Sequence, residues 1–127
     1  MCKKQLIPFS YDNFFFDIDC DLIISATYHK KINLEKSRYK LAINMHPSYL
    51  PYLKGKDPIK TALENNEQYL GLTSHLLTNI YDEGKILYRD HIYFDQLDTK
   101  LTIVNKLIPL YINHTNFIIK YYEKNYV

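Results

Sequence analysis

Two short apolar runs constrain this chain more than any other feature. Leu22-Ile23-Ile24-Ser25-Ala26 and Leu41-Ala42-Ile43 are each bounded by polar residues. Runs this short suit strands buried in a parallel sheet, since helices need longer periodic stretches. The second run stops at Asn44 and leads into His46-Pro47, with Pro51 close behind. A residue before proline is pushed to extended geometry, so this segment reads as a rigid, non-helical loop. The polar stretch from Tyr28 to Lys40 has room for a short helix around Leu34–Tyr39.

Further along, Asp57-Pro58 reads as an N-cap followed by proline at the first helical position. Ile59, Ala62 and Leu63 give that helix an apolar face, and Asn65-Asn66 ends it. From Gly71 to Thr78, Leu72, Ser74 and Leu76 alternate with Thr73, His75 and Leu77, the period of a strand. Asp82-Glu83-Gly84 is a turn signal, and Lys85 to Phe94 is again strand-like. Asp98 or Thr99 caps a final helix, with an expected apolar face of Leu101, Val104, Ile108, Tyr111, Ile112, Ile118 and Ile119. Pro109 should kink or break that helix, because it cannot donate to the Asn105 carbonyl. Strands alternating with helices make the fold class α/β. Residues 1–20, with the run Phe14-Phe15-Phe16, form a poorly patterned lead-in to a unit spanning 21–127.

Composition excludes several function classes. The chain has 127 residues, enough for one domain with a real core. Its 3 glycines are Gly55, Gly71 and Gly84, so neither a dinucleotide-binding glycine turn nor a P-loop is present. A formal net charge of +2 is too weak to predict nucleic-acid binding. Cys2 and Cys20 make no disulfide framework and suit reduced thiols in the cytoplasm. Pro8, Ser10 and Asp12 interrupt any signal-peptide core, and no apolar run approaches the ~18–20 residues of a membrane span. The expectation is a cytoplasmic protein with neither membrane nor nucleic acid as partner.

Three polar residues stand at positions that suit chemistry. Asn44 and His46 follow a strand end, where open α/β sheets bind ligands, and Asp82 sits in a turn after another strand. An asparagine can donate to a developing oxyanion, a histidine can carry a proton near neutral pH, and an aspartate can hold that histidine. The plain alternative is two turn residues and a structural histidine. His46, His75 and Asp82 lack the helical His pair or the cysteines of a metal site, so no metal is expected. The loop Lys54-Gly55-Lys56, near Lys60, suits either solvent or a phosphate.

The wording of the segment adds a resemblance. Asn44-Met45-His46-Pro47-Ser48-Tyr49-Leu50-Pro51, then Lys54-Gly55, resembles the Asn-x-His-Pro-Ser-x-Leu-Pro…Lys/Arg-Gly signature of folate-dependent formyltransferases. The likeness continues through Ala62-Leu63-Glu64-Asn65, Gly71-x-Thr73-x-His75, Asp82-Glu83-Gly84-x-Ile86 and Ile108-Pro109-Leu110. It implies formyl transfer from N10-formyltetrahydrofolate, as co-substrate, to a small-molecule primary amine. Asn44 and His46 would stabilise the oxyanion. Asp82 would orient His46 and relay a proton, and His75 would support Asp82. Tyr28, His29, Lys30, Lys31 and Ile32, with Asn79, Ile80 and Tyr81, would hold the pterin.

The motif wording favours glycinamide ribonucleotide as acceptor, with a nucleotide-linked amino sugar as the alternative. A methionyl-tRNA acceptor is less expected, because that branch adds a C-terminal RNA-binding domain. The resemblance further implies a partial Rossmann-like open sheet. The folate-site strand begins about twenty residues after Met1, where the family has a glycine-containing strand–helix half. The expected consequence is an exposed sheet edge that self-associates or takes a second chain, or else a non-catalytic relative that only binds folate or a partner.

Overall fold

The computed structural model describes residues 19–127 apart from 29–31, 33, 36 and 81. The elements are β1 (Leu22–Ala26), β2 (Leu41–His46), α1 (Pro58–Glu64), β3 (Tyr69–Leu76), β4 (Ile86–Tyr93) and α2 (Lys100–Tyr126). The strands lie in sequence order in one mixed sheet. β1 runs parallel to β2, while β2/β3 and β3/β4 are antiparallel. The expected parallel pairing therefore holds for the first two strands.

No helix forms between β1 and β2 among the described residues. The Ser37 N–H closes a turn on the Leu34 carbonyl at 3.0 Å, and Arg38 bridges to Asp19. That pairing extends the parallel alignment by one bridge and takes Arg38 out of the expected helix.

β2 is buried except at half-buried Asn44, and its alternation sorts its side chains. Leu41, Ile43 and Met45 join the main core with Leu70, Leu72, Ile103, Leu107 and Ile118. Asn44 and His46 belong to the opposite face, where they lie across from His75 and Thr73 of β3. The loop after β2 closes over this second face. The Thr73 hydroxyl donates to the Ser48 carbonyl at 2.6 Å and accepts from the Leu50 N–H at 3.0 Å.

α1 begins as the sequence implies, with the Asp57 carboxylate accepting from the Lys60 N–H and Pro58 in the first turn. α2 opens with a capping box between Thr99 and Thr102 and continues unbroken past Pro109. Pro109 and Asn105 are both exposed, so water can replace the donor that proline lacks.

The buried face of α2 also differs from the expectation. Ile103, Leu107, Leu110, His114 and Ile118 are buried, whereas Leu101, Val104, Ile108, Ile112 and Ile119 are exposed. The helix carries two apolar stripes, and the sheet takes the one that includes His114. No described helix is long and apolar enough to cross a membrane.

Candidate active site

A cavity of about 510 Å³ opens at the C-terminal ends of β1 and β2. Asn44, His46, His75 and Asp82 all line it. The sheet register sets Asn44 directly across from His75. The turn after β3 then brings Asp82 back toward His46.

Each polar side chain in this cluster has a fixed partner. The His46 Nε2–H donates to the Leu53 carbonyl at 2.9 Å, and Nδ1 lies 3.3 Å from Asp82 Oδ1. The Asp82 Oδ2 accepts from the Gly55 N–H at 2.9 Å. The His75 Nδ1–H donates to the Leu76 carbonyl at 2.9 Å, and its Nε2 lies 3.2 Å from the Asn44 amide nitrogen. His75 Nε2 is also 3.7 Å from Asp82 Oδ1, beyond hydrogen-bond reach.

These contacts decide where protons sit. With the Nε2 proton of His46 given to Leu53, a neutral ring would turn its Nδ1 lone pair on the Asp82 carboxylate. The contact is favourable only when a proton lies between them, so the two groups titrate as a pair. Burial pushes His46 below its ordinary value, against the pull of the Leu53 carbonyl and Asp82. Burial also acts to raise Asp82, but the neighbouring His75, the Gly55 N–H and His46 outweigh it and hold the carboxyl below the usual range.

Backbone strain gathers around this cavity. Thr27, Asp57 and Asp82 line it with positive φ, and Leu53, whose carbonyl anchors His46, also has a positive φ. A β-branched threonine at φ 54° is a clear outlier. Such strain persists only where surrounding structure holds it, and it clusters at functional sites. Gly55 supplies the left-handed φ of 97° next to the N–H that Asp82 accepts.

A family model described as formyl transferase matches residues 12–113. The chain belongs to the formyl transferase family. A methionyl-tRNA formyltransferase of Buchnera aphidicola is 31% identical over 99% of this chain and 42% of its own length. The crystal structure of the sugar 3N-formyl transferase WlaRD, determined in the presence of dTDP and 5-N-formyl-THF, superposes with a TM-score of 0.66 at 25% identity. It covers 86% of this chain and 39% of that one. A phosphoribosylglycinamide formyltransferase from Bacillus halodurans gives 0.58 at 26% identity, over 68% of this chain and 45% of its own. The chain thus spans less than half the length of these relatives. Its mixed sheet is part of the Rossmann-like formyl transferase fold.

Of the residues that the resemblance assigns to the pterin, Tyr28, Ile32, Asn79 and Ile80 line the cavity. His29, Lys30, Lys31 and Tyr81 lie outside the described residues. Sequence reasoning missed the Leu53 carbonyl and the Gly55 N–H, because backbone groups leave no trace in residue type. It also missed Thr27, Lys100 and Val104 on the cavity wall. Lys100 is paired with Asp57 at 3.0 Å, which ties the start of α2 to the cap of α1. Among the described residues no cluster of His, Cys, Asp and Glu is arranged to hold a metal.

Proposed function

We propose that this cavity takes N10-formyltetrahydrofolate and that the cluster transfers its formyl group to a small primary amine. The single observation that carries this reading is the convergence of the Asn44 amide, His46 and Asp82 on one cavity wall. In the reaction, the amine nitrogen forms a bond to the formyl carbon and the bond from that carbon to N10 breaks. The proton lost by the amine ends on N10.

The residues divide that work. Asn44 has a donor to spare for the formyl oxygen as charge develops there. Both ring nitrogens of His46 are engaged, so its part is to orient Asp82 and to stabilise a proton that arrives between them during transfer. Asp82 accepts a proton from the amine side, with Gly55 holding the carboxylate in place. Tyr28, Ile32, Asn79 and Ile80 form the walls against which a pterin packs.

For the acceptor, the His-Pro-Ser-x-Leu-Pro wording supports glycinamide ribonucleotide. The wider superposition on a sugar 3N-formyl transferase supports an amino sugar nucleotide. Calorimetric titration with 5-formyltetrahydrofolate, followed by turnover with both amines, tests the proposal. Saturable binding with turnover of one amine is expected. Binding without turnover would leave a folate-binding relative, and no binding would remove the reading. We place the protein in the cytoplasm.

A second reading concerns self-association. β1 is an edge strand of the described sheet, and α2 presents Leu101, Val104, Ile108, Ile112 and Ile119 to solvent. Exposed edges and apolar stripes of this kind are ordinarily covered. We expect a second copy to cover them, giving a dimer in sedimentation at micromolar protein; a monomer would remove this part.

A further inference from the structure

We infer that His75 is a positioning residue that sets which end of the Asn44 amide serves the cavity; this rests on the formyl-transfer reading above. Gly84 sets the geometry of the ring. A Cβ built there would collide with the Leu76 carbonyl and lie 3.1 Å from His75 Nδ1. With no side chain at Gly84, that carbonyl has room to stand beside the ring and accept the Nδ1 proton at 2.9 Å. A neutral imidazole carries one proton, so Nε2 becomes an acceptor.

The ring is almost fully buried, so solvent does not compete for that lone pair. Its partner is fixed by the sheet, because Asn44 lies directly across from His75 in the β2/β3 register. An acceptor can take only the nitrogen end of an amide. Asn44 Nδ2 therefore faces His75 at 3.2 Å, and its second N–H is left for the cavity.

The two ends of an asparagine amide are nearly the same size. Without a discriminating partner, Asn44 would populate both orientations, and one of them would aim a carbonyl oxygen at the developing oxyanion. The His75 lone pair removes that orientation. Nothing in this role requires a bond to Asp82, and the 3.7 Å separation agrees.

Long-range proton–nitrogen NMR on the full, uniformly labelled chain at neutral pH reads the tautomer without any activity. A neutral His75 ring with the proton on Nδ1 is expected. A ring protonated on Nε2 overturns the proposal. Kinetics give the second readout. His75→Leu should lower kcat toward the ~10²-fold or greater loss of a missing oxyanion donor, with KM for the formyl-folate nearly unchanged. His75→Gln, whose carbonyl keeps an acceptor facing Asn44, should recover most of that loss.

The double variant Asn44→Ala/His75→Leu should be no slower than Asn44→Ala alone. Independent, multiplying losses would overturn the proposal. Because the NMR readout needs no turnover, failure of the formyl-transfer reading is distinguishable from failure of this one.

Discussion

Adjacent residues of β3 serve opposite faces of the sheet, and each face buries a histidine on different terms. On the cavity face, His75 gives one ring proton to the Leu76 carbonyl and offers its other nitrogen to Asn44. On the α2 face, the Ser74 hydroxyl lies 2.6 Å from Nδ1 of His114, while His114 Nε2 is buried with no partner among the described residues. His114 is fully buried, with its ring against Tyr88 at 4.5 Å between centroids. The cavity face uses its polar contacts to hold geometry. The α2 face tolerates an incomplete polar contact because apolar packing holds the helix. The contrast teaches that buried polarity alone does not mark a site; complete, directional partnering around a cavity does.

The comparison breaks first on the cavity face. Asp82→Ala should reduce formyl transfer by ~10²–10⁴-fold, the usual worth of a positioned proton carrier. Its melting temperature should fall only modestly, since the Gly55 hydrogen bond and the positive φ it disturbs are local to one turn at the cavity. A coincident loss of fold and activity would make Asp82 structural.

The α2 face should show itself through pH. Burial holds His114 down to about 4, against some pull from Asp90. A histidine depressed in the folded state costs stability wherever the unfolded chain binds the proton and the folded chain does not. Stability should therefore fall as pH drops from about 6.5 to about 4, by up to ~3 kcal/mol from this residue. Denaturant titrations across that window should show a shallower slope in His114→Gln. An unchanged slope would place the acid sensitivity elsewhere.

A smaller effect links the two faces. Gly84→Ala pushes on the Leu76 carbonyl and should cost ~1–3 kcal/mol, as overpacking does. It should also perturb the His75 ring signals more than those of His114. The smallest effect is expected at the rim. Lys54 and Glu83 form an ion pair with both side chains more than two-fifths exposed. Lys54→Ala should change stability by less than ~1 kcal/mol, measured by thermal melt.

The site was more legible in sequence than the packing around it. Asn44, His46 and Asp82 stood out because their chemistry sits at strand ends and turns, and the structure brings them together with His75. The helix start at Asp57-Pro58 was readable because a cap and a proline act locally. The face of α2 was not. Leu101, Val104 and Ile108 have the same helical spacing as Ile103, Leu107 and Leu110, and periodicity cannot say which stripe meets the sheet. His114 is polar by type, yet Ser74 gives it a partner and its stripe is the one buried. Among the described residues the short helix expected near Leu34–Tyr39 does not form, and Arg38 instead bridges to Asp19, a contact that local propensity cannot foresee.

The most direct test is tetrahydrofolate release from N10-formyltetrahydrofolate in the presence of an amine acceptor, comparing the parent chain with Asn44→Ala. The cluster described above predicts release by the parent and a loss of ~10²–10³-fold in the variant, with formyl-folate binding retained. Equal release by both proteins would contradict it.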